Sequence, residues 1–333
     1  MKAVFRADSG AGSGLGHIQR CLALAAALAE RGVECSFAVP ELASVRERIE
    51  RAGFDAVELE AGLPAEQGEL LVVDSYHVDP AYLHGLREAG LTVVLIDDHA
   101  AFPVTCALCV NAGANAESLP YLADSADTRF LLGPRYALLP PELWDAAPRP
   151  PAERVANMLL TLGGGDPHDL APRLLAALDA LDADFSLMVA VGPYSSSRSQ
   201  LTGRRERGIT LLDAPASLVE PMRAADLAVS AAGQTLYALA RLGVPTVALE
   251  LADNQRGGLA ALERAGAVHA AGRVGDSELP EAVAAAVRGL VTDDAARHRL
   301  ARAAGSLLDG QGARRVAAEI CRLGASIGIE TRR

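Results

Sequence analysis

Short apolar runs that end on a polar residue recur along this chain, each followed by turn-forming residues and then by apolar positions at helical spacing. Ala3-Val4-Phe5 leads into the glycine-dense stretch Gly10 to Gly16, after which Leu22, Leu24 and a series of alanines keep a helical period until Gly32. That sequence predicts a strand, a tight loop and a helix. Val33 to Val39 predicts the next strand, Glu41 to Ala52 a helix, and Ala56 to Leu59 a short strand. Leu70-Leu71-Val72-Val73-Asp74 and Thr92-Val93-Val94-Leu95-Ile96-Asp97-Asp98 are continuous apolar runs closing on carboxylates, with a helix from Pro80 to Gly90 between them. Runs of this kind are the mark of strands buried on both faces of a parallel sheet, whose carboxyl edge forms ligand-binding crevices. Leu108 to Asn111 predicts a further strand.

The proline cluster Pro148-Arg149-Pro150-Pro151 suits neither a sheet nor a helix interior and predicts a linker. The domains are therefore expected at 1–148 and 149–333, with the last helix a candidate to pack back on the first. Beyond the linker the same logic restarts. Asn157 to Leu162 is followed by Gly163-Gly164-Gly165-Asp166-Pro167 and a helix from His168 to Leu181. Phe185 to Val191, Ile209 to Leu212 and Leu227 to Ser230 predict strands. The last opens into Ala231-Ala232-Gly233-Gln234-Thr235 and a helix from Leu236 to Leu242. Val244 to Leu249 predicts another strand, and helical periodicity fills most of the remainder, ending in a helix from Ala313 to Leu323 after Gly310 to Gly312. The fold class expected is α/β, two Rossmann-like, doubly wound domains with a ligand between them.

Composition narrows the chemistry. The 333 residues carry a formal net charge of −11, which argues against nucleic acid or an anionic membrane as partner. Lys2 is the only lysine among 31 basic residues, which excludes an internal Schiff-base lysine, a pyridoxal phosphate site and a P-loop. Five cysteines, an odd number without a secretory signal, fit a reducing cytoplasm, and no apolar stretch is long enough to span a membrane. Cys106 and Cys109 have redox or zinc spacing but lie in an apolar run with no second pair, so core packing is expected of them. His77, His84 and His99 lie near Asp74, Asp97 and Asp98, yet their spacings match no helical ligand pair, so no metal is expected. No cofactor is expected either.

The first glycine loop is the strongest candidate site. Glycines let backbone approach a ligand, and the free N–H groups at the following helix start attract an anion. The loop is not a clean dinucleotide fingerprint, and no acidic residue closes the second strand at the distance such a site needs. His17 stands at the helix mouth, where the dipole disfavours the imidazolium and leaves a neutral ring able to accept a proton.

Six blocks in one order then become specific: Arg6-Ala7-Asp8; Gly14-x-Gly16-His17 with Arg20-Cys21-Leu22; Asp74 to Tyr76; Leu131 to Leu139; Thr161 to Gly164 with Asp166-Pro167; and Leu251-Ala252-Asp253-Asn254-Gln255. Together they resemble the nucleotide-sugar hydrolases of the pseudaminic acid pathway and their spore-coat polysaccharide relatives, over nearly the whole chain. The resemblance implies a GT-B fold with a cleft between the domains, the nucleotide on the C-terminal domain. It implies removal of UDP from UDP-2,4-diacetamido-2,4,6-trideoxy-β-L-altrose or a related UDP-deoxyamino sugar. His17 would be the base that activates water for attack on the anomeric carbon with inversion. Backbone N–H groups from Gly233 through Gln234 to Leu236, with the Thr235 hydroxyl, would receive the charge of the departing diphosphate. Asp8, Tyr76 and Asn254 would orient sugar or pyrophosphate, Tyr76 at the catalytic centre, with Gly14, Gly16, Arg20, Asp74, Gly163, Gly164 and Gln255 completing the substrate site.

Several positions depart from the family pattern. Tyr237 is followed by Ala238 where a glutamate usually meets the ribose, Ala232 and Gln234 replace a glycine and a serine, and Gln19 stands where methionine is common. A GT-B glycosyltransferase with a soluble acceptor, and a non-catalytic nucleotide-sugar binder, are the rival expectations. No basic, apolar patch for a membrane acceptor is visible in the helix from Glu41 to Glu50.

Overall fold

The computed structural model describes residues 1–10, 15–39, 43–59, 69–166, 168–201 and 208–326. The chain forms two compact units, Met1–Pro141 with Gln311–Arg333, and Glu142–Gly310.

The first unit runs β1 (Lys2–Ala7), α1 (Gly16–Ala29), β2 (Glu34–Val39), α2 (Ala43–Arg51), β3 (Asp55–Glu58), β4 (Leu70–Asp74), α3 (Pro80–Glu88), β5 (Thr92–Ile96), β6 (Leu108–Asn111) and β7 (Arg129–Leu132). These strands make one parallel sheet in the order β3-β2-β1-β4-β5-β6-β7. Every residue of β4 is buried, as a central strand covered on both faces requires. The strand order reverses between β1 and β4, where Ala7 lies opposite Asp74. In an open parallel sheet, that reversal at the carboxyl edge is where connecting segments part and a ligand can enter.

The second unit repeats the plan. It runs β8 (Asn157–Thr161), β9 (Gly165–Asp166), α4 (Leu170–Asp179), β10 (Ser186–Val191), β11 (Tyr194–Ser195), α5 (Arg198–Leu201), β12 (Ile209–Asp213) and α6 (Val219–Ala224). It continues through β13 (Leu227–Ala231), α7 (Gln234–Leu242), β14 (Thr246–Glu250), α8 (Arg256–Arg264), β15 (His269–Arg273), α9 (Leu279–Thr292) and α10 (Asp294–Leu307). The main sheet is parallel in the order β12-β10-β8-β13-β14-β15, with its reversal between β8 and β13. The loops after those two strands hold Gly163-Gly164 and Gly233. Buried Leu174, Leu175 and Leu178 of α4 and Val283 and Val287 of α9 pack with Leu160 and Val189 of the sheet as one core.

One boundary differs from the sequence reading. The units part at Pro141/Glu142 rather than at 148/149. Leu143 and Trp144 are buried, and the Arg241 guanidinium of α7 donates to their carbonyls at 3.1 and 3.3 Å. The chain is thus already tied to the second unit before the proline cluster begins. At the other end, α11 (Gly312–Ser326) belongs to the first unit, where it packs along α1 and Arg314 pairs with Glu30 at 2.9 and 3.0 Å.

Candidate active site

The side chains of His17, Arg20 and Cys21 stand at i, i+3 and i+4 of α1 and so share one face of the helix. All three reach the carboxylate of Asp74, which closes β4 across the sheet reversal. His17 Nδ1 lies 2.5 Å from Asp74 Oδ1, and the Arg20 guanidinium donates to both Asp74 oxygens at 2.6 Å. The Cys21 thiol donates to Oδ2 at 3.5 Å. Asp74 is wholly buried and His17 nearly so, at 3% exposure.

Burial alone would raise the Asp74 carboxyl. The Arg20 charge, its hydrogen bonds and those of His17 outweigh that and hold it well below the usual carboxylate range. In the neutral form of the ring, an ionised Asp74 favours the tautomer with hydrogen on Nδ1, which leaves the lone pair on Nε2. Burial and the Asp74 charge push the Cys21 thiol up, so it stays protonated beside the carboxylate. The Arg20 fork also donates to Asp98 at 2.8 and 3.1 Å, and Tyr76 Oη donates to Asp98 at 2.9 Å. The Tyr76 ring stands edge-on to His17, centroids 4.5 Å apart, and to His99 at 4.8 Å.

Asp8 follows β1 and accepts the backbone N–H of Tyr76 at 2.8 Å, while its own N–H donates to the Asp74 carbonyl at 3.0 Å. Gly16 opens α1, and a Cβ there would meet nothing within 4 Å. Gly14 lies outside the described residues, as do Gly12, Glu41 and Pro167. Asp8, Gly16, His17, Arg20, Asp74 and Tyr76 thus come together within the first unit. Asp74 differs from the expectation of substrate contact, because it has no accessible surface and its oxygens are taken by protein donors. Asp98, which joins Arg20 to Tyr76, was seen in the sequence only as part of a strand-end acidic cluster. No spacing rule links it to α1.

In the second unit Gly163 has φ +83° and Gly164 follows it. A Cβ on Gly192, just after β10, would stand 2.4 Å from the carbonyl oxygens of both residues. Gly192 therefore allows a backbone approach that sequence reasoning did not anticipate. Asp166 anchors the end of this loop: its oxygens accept from the N–H groups of Leu170 and Ala171 at 2.9 and 2.8 Å and from Ser197 at 2.5 Å. Gly233 caps α7, whose first two residues are Gln234 and Thr235, all three half-buried. Asn254 and Gln255 form the turn before α8. Gln255 accepts from the Leu251 N–H at 2.8 Å, and its Nε2 lies 3.8 Å from where a Gly233 Cβ would stand. Ala238, at the position of the family's glutamate, is buried at 6% exposure.

The other histidines are drawn to separate partners. His77 is 4.0 Å from Asp8, His84 pairs with Glu88 at 3.3 Å, and Asp97 accepts backbone N–H groups from His99 and Ala100. Among the described residues, no group of three or more His, Cys, Asp or Glu could hold a metal. Cys106 and Cys109 are free thiols, Cys109 fully buried.

No protein-family model matches the chain. It is 24% identical to an uncharacterised protein of Methanocaldococcus jannaschii, over 77% of this chain and 57% of that protein. It is 25% identical to the pseudaminic acid cytidylyltransferase and UDP-2,4-diacetamido-2,4,6-trideoxy-beta-L-altropyranose hydrolase of Helicobacter pylori, over 73% of this chain and 43% of that protein. The hydrolase of that name from Campylobacter jejuni is 29% identical over 54% of this chain and 66% of its own length. A spore coat polysaccharide biosynthesis protein of Bacillus subtilis is 23% identical over 75% of this chain and 77% of its own length. The chain spans about half the length of the first two. Among solved structures, Acinetobacter baumannii MurG superposes with a TM-score of 0.67 at 16% identity, over 97% of this chain and all of that one. A spinosyn rhamnosyltransferase complexed with thymidine diphosphate gives 0.61 at 18%, with 97% of this chain and 100% of that one covered. The fold is GT-B, built of two Rossmann-like units.

Proposed function

We propose, from the kinship of this chain with the altropyranose hydrolases and the spore coat polysaccharide protein, that it is an enzyme acting on a nucleotide sugar, and specifically a hydrolase of a UDP-deoxyamino sugar. The observation that carries the reading is the 2.5 Å contact of His17 Nδ1 with the buried, ionised Asp74. A ring held this way has Nε2 available as a base. Water gives its proton to Nε2 as its oxygen bonds to the anomeric carbon. The bond from that carbon to the diphosphate oxygen breaks with its electron pair, leaving a nucleoside diphosphate and a free sugar of inverted configuration.

Asp74 and Arg20 act behind His17 as positioning residues, the carboxylate fixing the tautomer and the guanidinium keeping the carboxylate charged. Tyr76 and Asp8 orient the sugar. The diphosphate is assigned to the backbone N–H groups at the start of α7, with Thr235, and to the Gly163-Gly164 loop, Asn254 and Gln255 supporting that side. With alanine buried at position 238, no carboxylate meets the ribose from α7, so discrimination among nucleosides rests on other contacts.

The test is turnover of UDP-2,4-diacetamido-2,4,6-trideoxy-β-L-altrose without any acceptor, followed by proton NMR. Release of UDP with the inverted anomer appearing first is the expected result. Release that requires an added sugar acceptor would instead identify a transferase, and binding without turnover would identify a non-catalytic binder.

A further inference from the structure

The Arg20 guanidinium serves two carboxylates, and only one of them meets His17. Its Nε and Nη2 donate to Asp74 at 2.6 Å, while Nη1 donates to both oxygens of Asp98 at 2.8 and 3.1 Å. Asp98 in turn accepts the Tyr76 hydroxyl at 2.9 Å. The network therefore branches at Arg20, with Asp74 behind the imidazole and Asp98 behind the phenol.

The backbone on either side of Asp98 is fixed. Asp74 closes β4 and Asp98 lies two residues beyond Ile96, the end of the neighbouring strand β5. The Asp97 N–H donates to the Val110 carbonyl at 3.1 Å, the Asp97 carbonyl accepts the Tyr121 hydroxyl at 2.7 Å, and the Asp97 carboxylate accepts the Ala100 N–H at 2.8 Å. The turn that carries Asp98 is thus tied to β6 and to itself. Exposure rises from His17 at 3% to Tyr76 at 41%, so the phenol is the more accessible of the two rings. A tyrosine hydroxyl has one hydrogen to give, and here it goes to a group that can only accept. An exposed ring held in advance also need not be immobilised when a ligand arrives.

We propose that Asp98 is a positioning residue of the site around His17, one that fixes the Tyr76 ring edge-on to the imidazole and commits the phenol oxygen to accept a hydrogen bond from the sugar. The sugar group it suits is a hydrogen donor, a hydroxyl or the N–H of an acylamino substituent. The ligand part of this rests on the nucleotide-sugar reading above, whereas the tether does not.

The tether is tested without ligand, by NMR of the whole protein carrying carbon-13-labelled histidine, with the His17 ring signals assigned by their loss in H17A. The Tyr76 ring, 4.5 Å away between centroids, is close enough for its ring current to act on them. D98A and Y76F are each expected to displace the same His17 signals, and D98A to add nothing in Y76F. Signals that D98A leaves in place overturn the proposal, as does a D98A displacement that persists in full in Y76F, since that would put its effect in Arg20. Y76F leaves the Arg20–Asp98 pair in place and decides alone should D98A fail to fold: unmoved His17 signals there overturn the proposal. The second arm is kcat/KM for UDP release from the nucleotide sugar. D98A should lower it about tenfold in wild type and less than about twofold in Y76F, and equal losses in both backgrounds overturn the proposal. A wild type that releases no UDP counts against the hydrolase reading, and the NMR result then decides the role of Asp98.

Discussion

Asp74 is the residue on which the chemistry of His17 depends, and it is also a folding liability held in check by Arg20. D74N leaves the guanidinium partly buried with only Asp98 as counter-charge, and an amide can offer Nδ1 either a donor or an acceptor. Turnover is expected to fall about 10³-fold or more, and stability by about 3 kcal/mol. Assays at a temperature where denaturation curves show the variant folded separate the two effects. The same carboxylate predicts an acid limit to folding. Its folded-state value is depressed, so its contribution is fully present above the unfolded carboxyl value of about 4 and is lost as pH falls below that. Urea midpoints should therefore decline from about pH 4 downward in wild type, and this part of the decline should vanish in D74N. Burial pushes the Cys35 thiol up to about 12. Cys35 and Cys21 should therefore resist thiol reagents at pH 8 in the native protein and react on denaturation.

At the scale of elements, the first turns of α1 show why part of the site was legible. His17, Arg20 and Cys21 share a helical face by spacing alone, and β4 ends on Asp74 as a buried strand at a carboxyl edge should. Which oxygen meets which nitrogen was not legible, because it depends on the register of β1 against β4. Asp98 and Gly192 were missed for the same reason: each matters through a partner distant in sequence. β7 and β15 were missed because neither is a long apolar run, Arg129 and Arg273 being exposed. G192A places a methyl group against the Gly163 and Gly164 carbonyls and must displace that loop. If the loop receives the diphosphate, KM should rise well before kcat falls, and steady-state kinetics with the nucleotide sugar check this split. D166A removes the acceptor for two N–H groups at the start of α4 and should cost about 2 kcal/mol in a denaturant titration.

Over the whole molecule, the doubling of the plan was legible, since strand, glycine loop and helix occur in both halves of the sequence and the same order of strands appears in both sheets. The place where the chain passes from one unit to the other was not. Proline content marks where regular structure stops, whereas the boundary is set by what the flanking residues pack against, here Leu143 and Trp144 on Arg241. The central claim is that a neutral imidazole oriented by Asp74 takes the proton of water at a nucleotide sugar. Its most direct test is the acceptor-free rate of UDP release by H17A, with circular dichroism and melting curves matched to wild type. The account predicts a fall of at least about 10²; a variant that folds normally and turns over within a few-fold of wild type would contradict it.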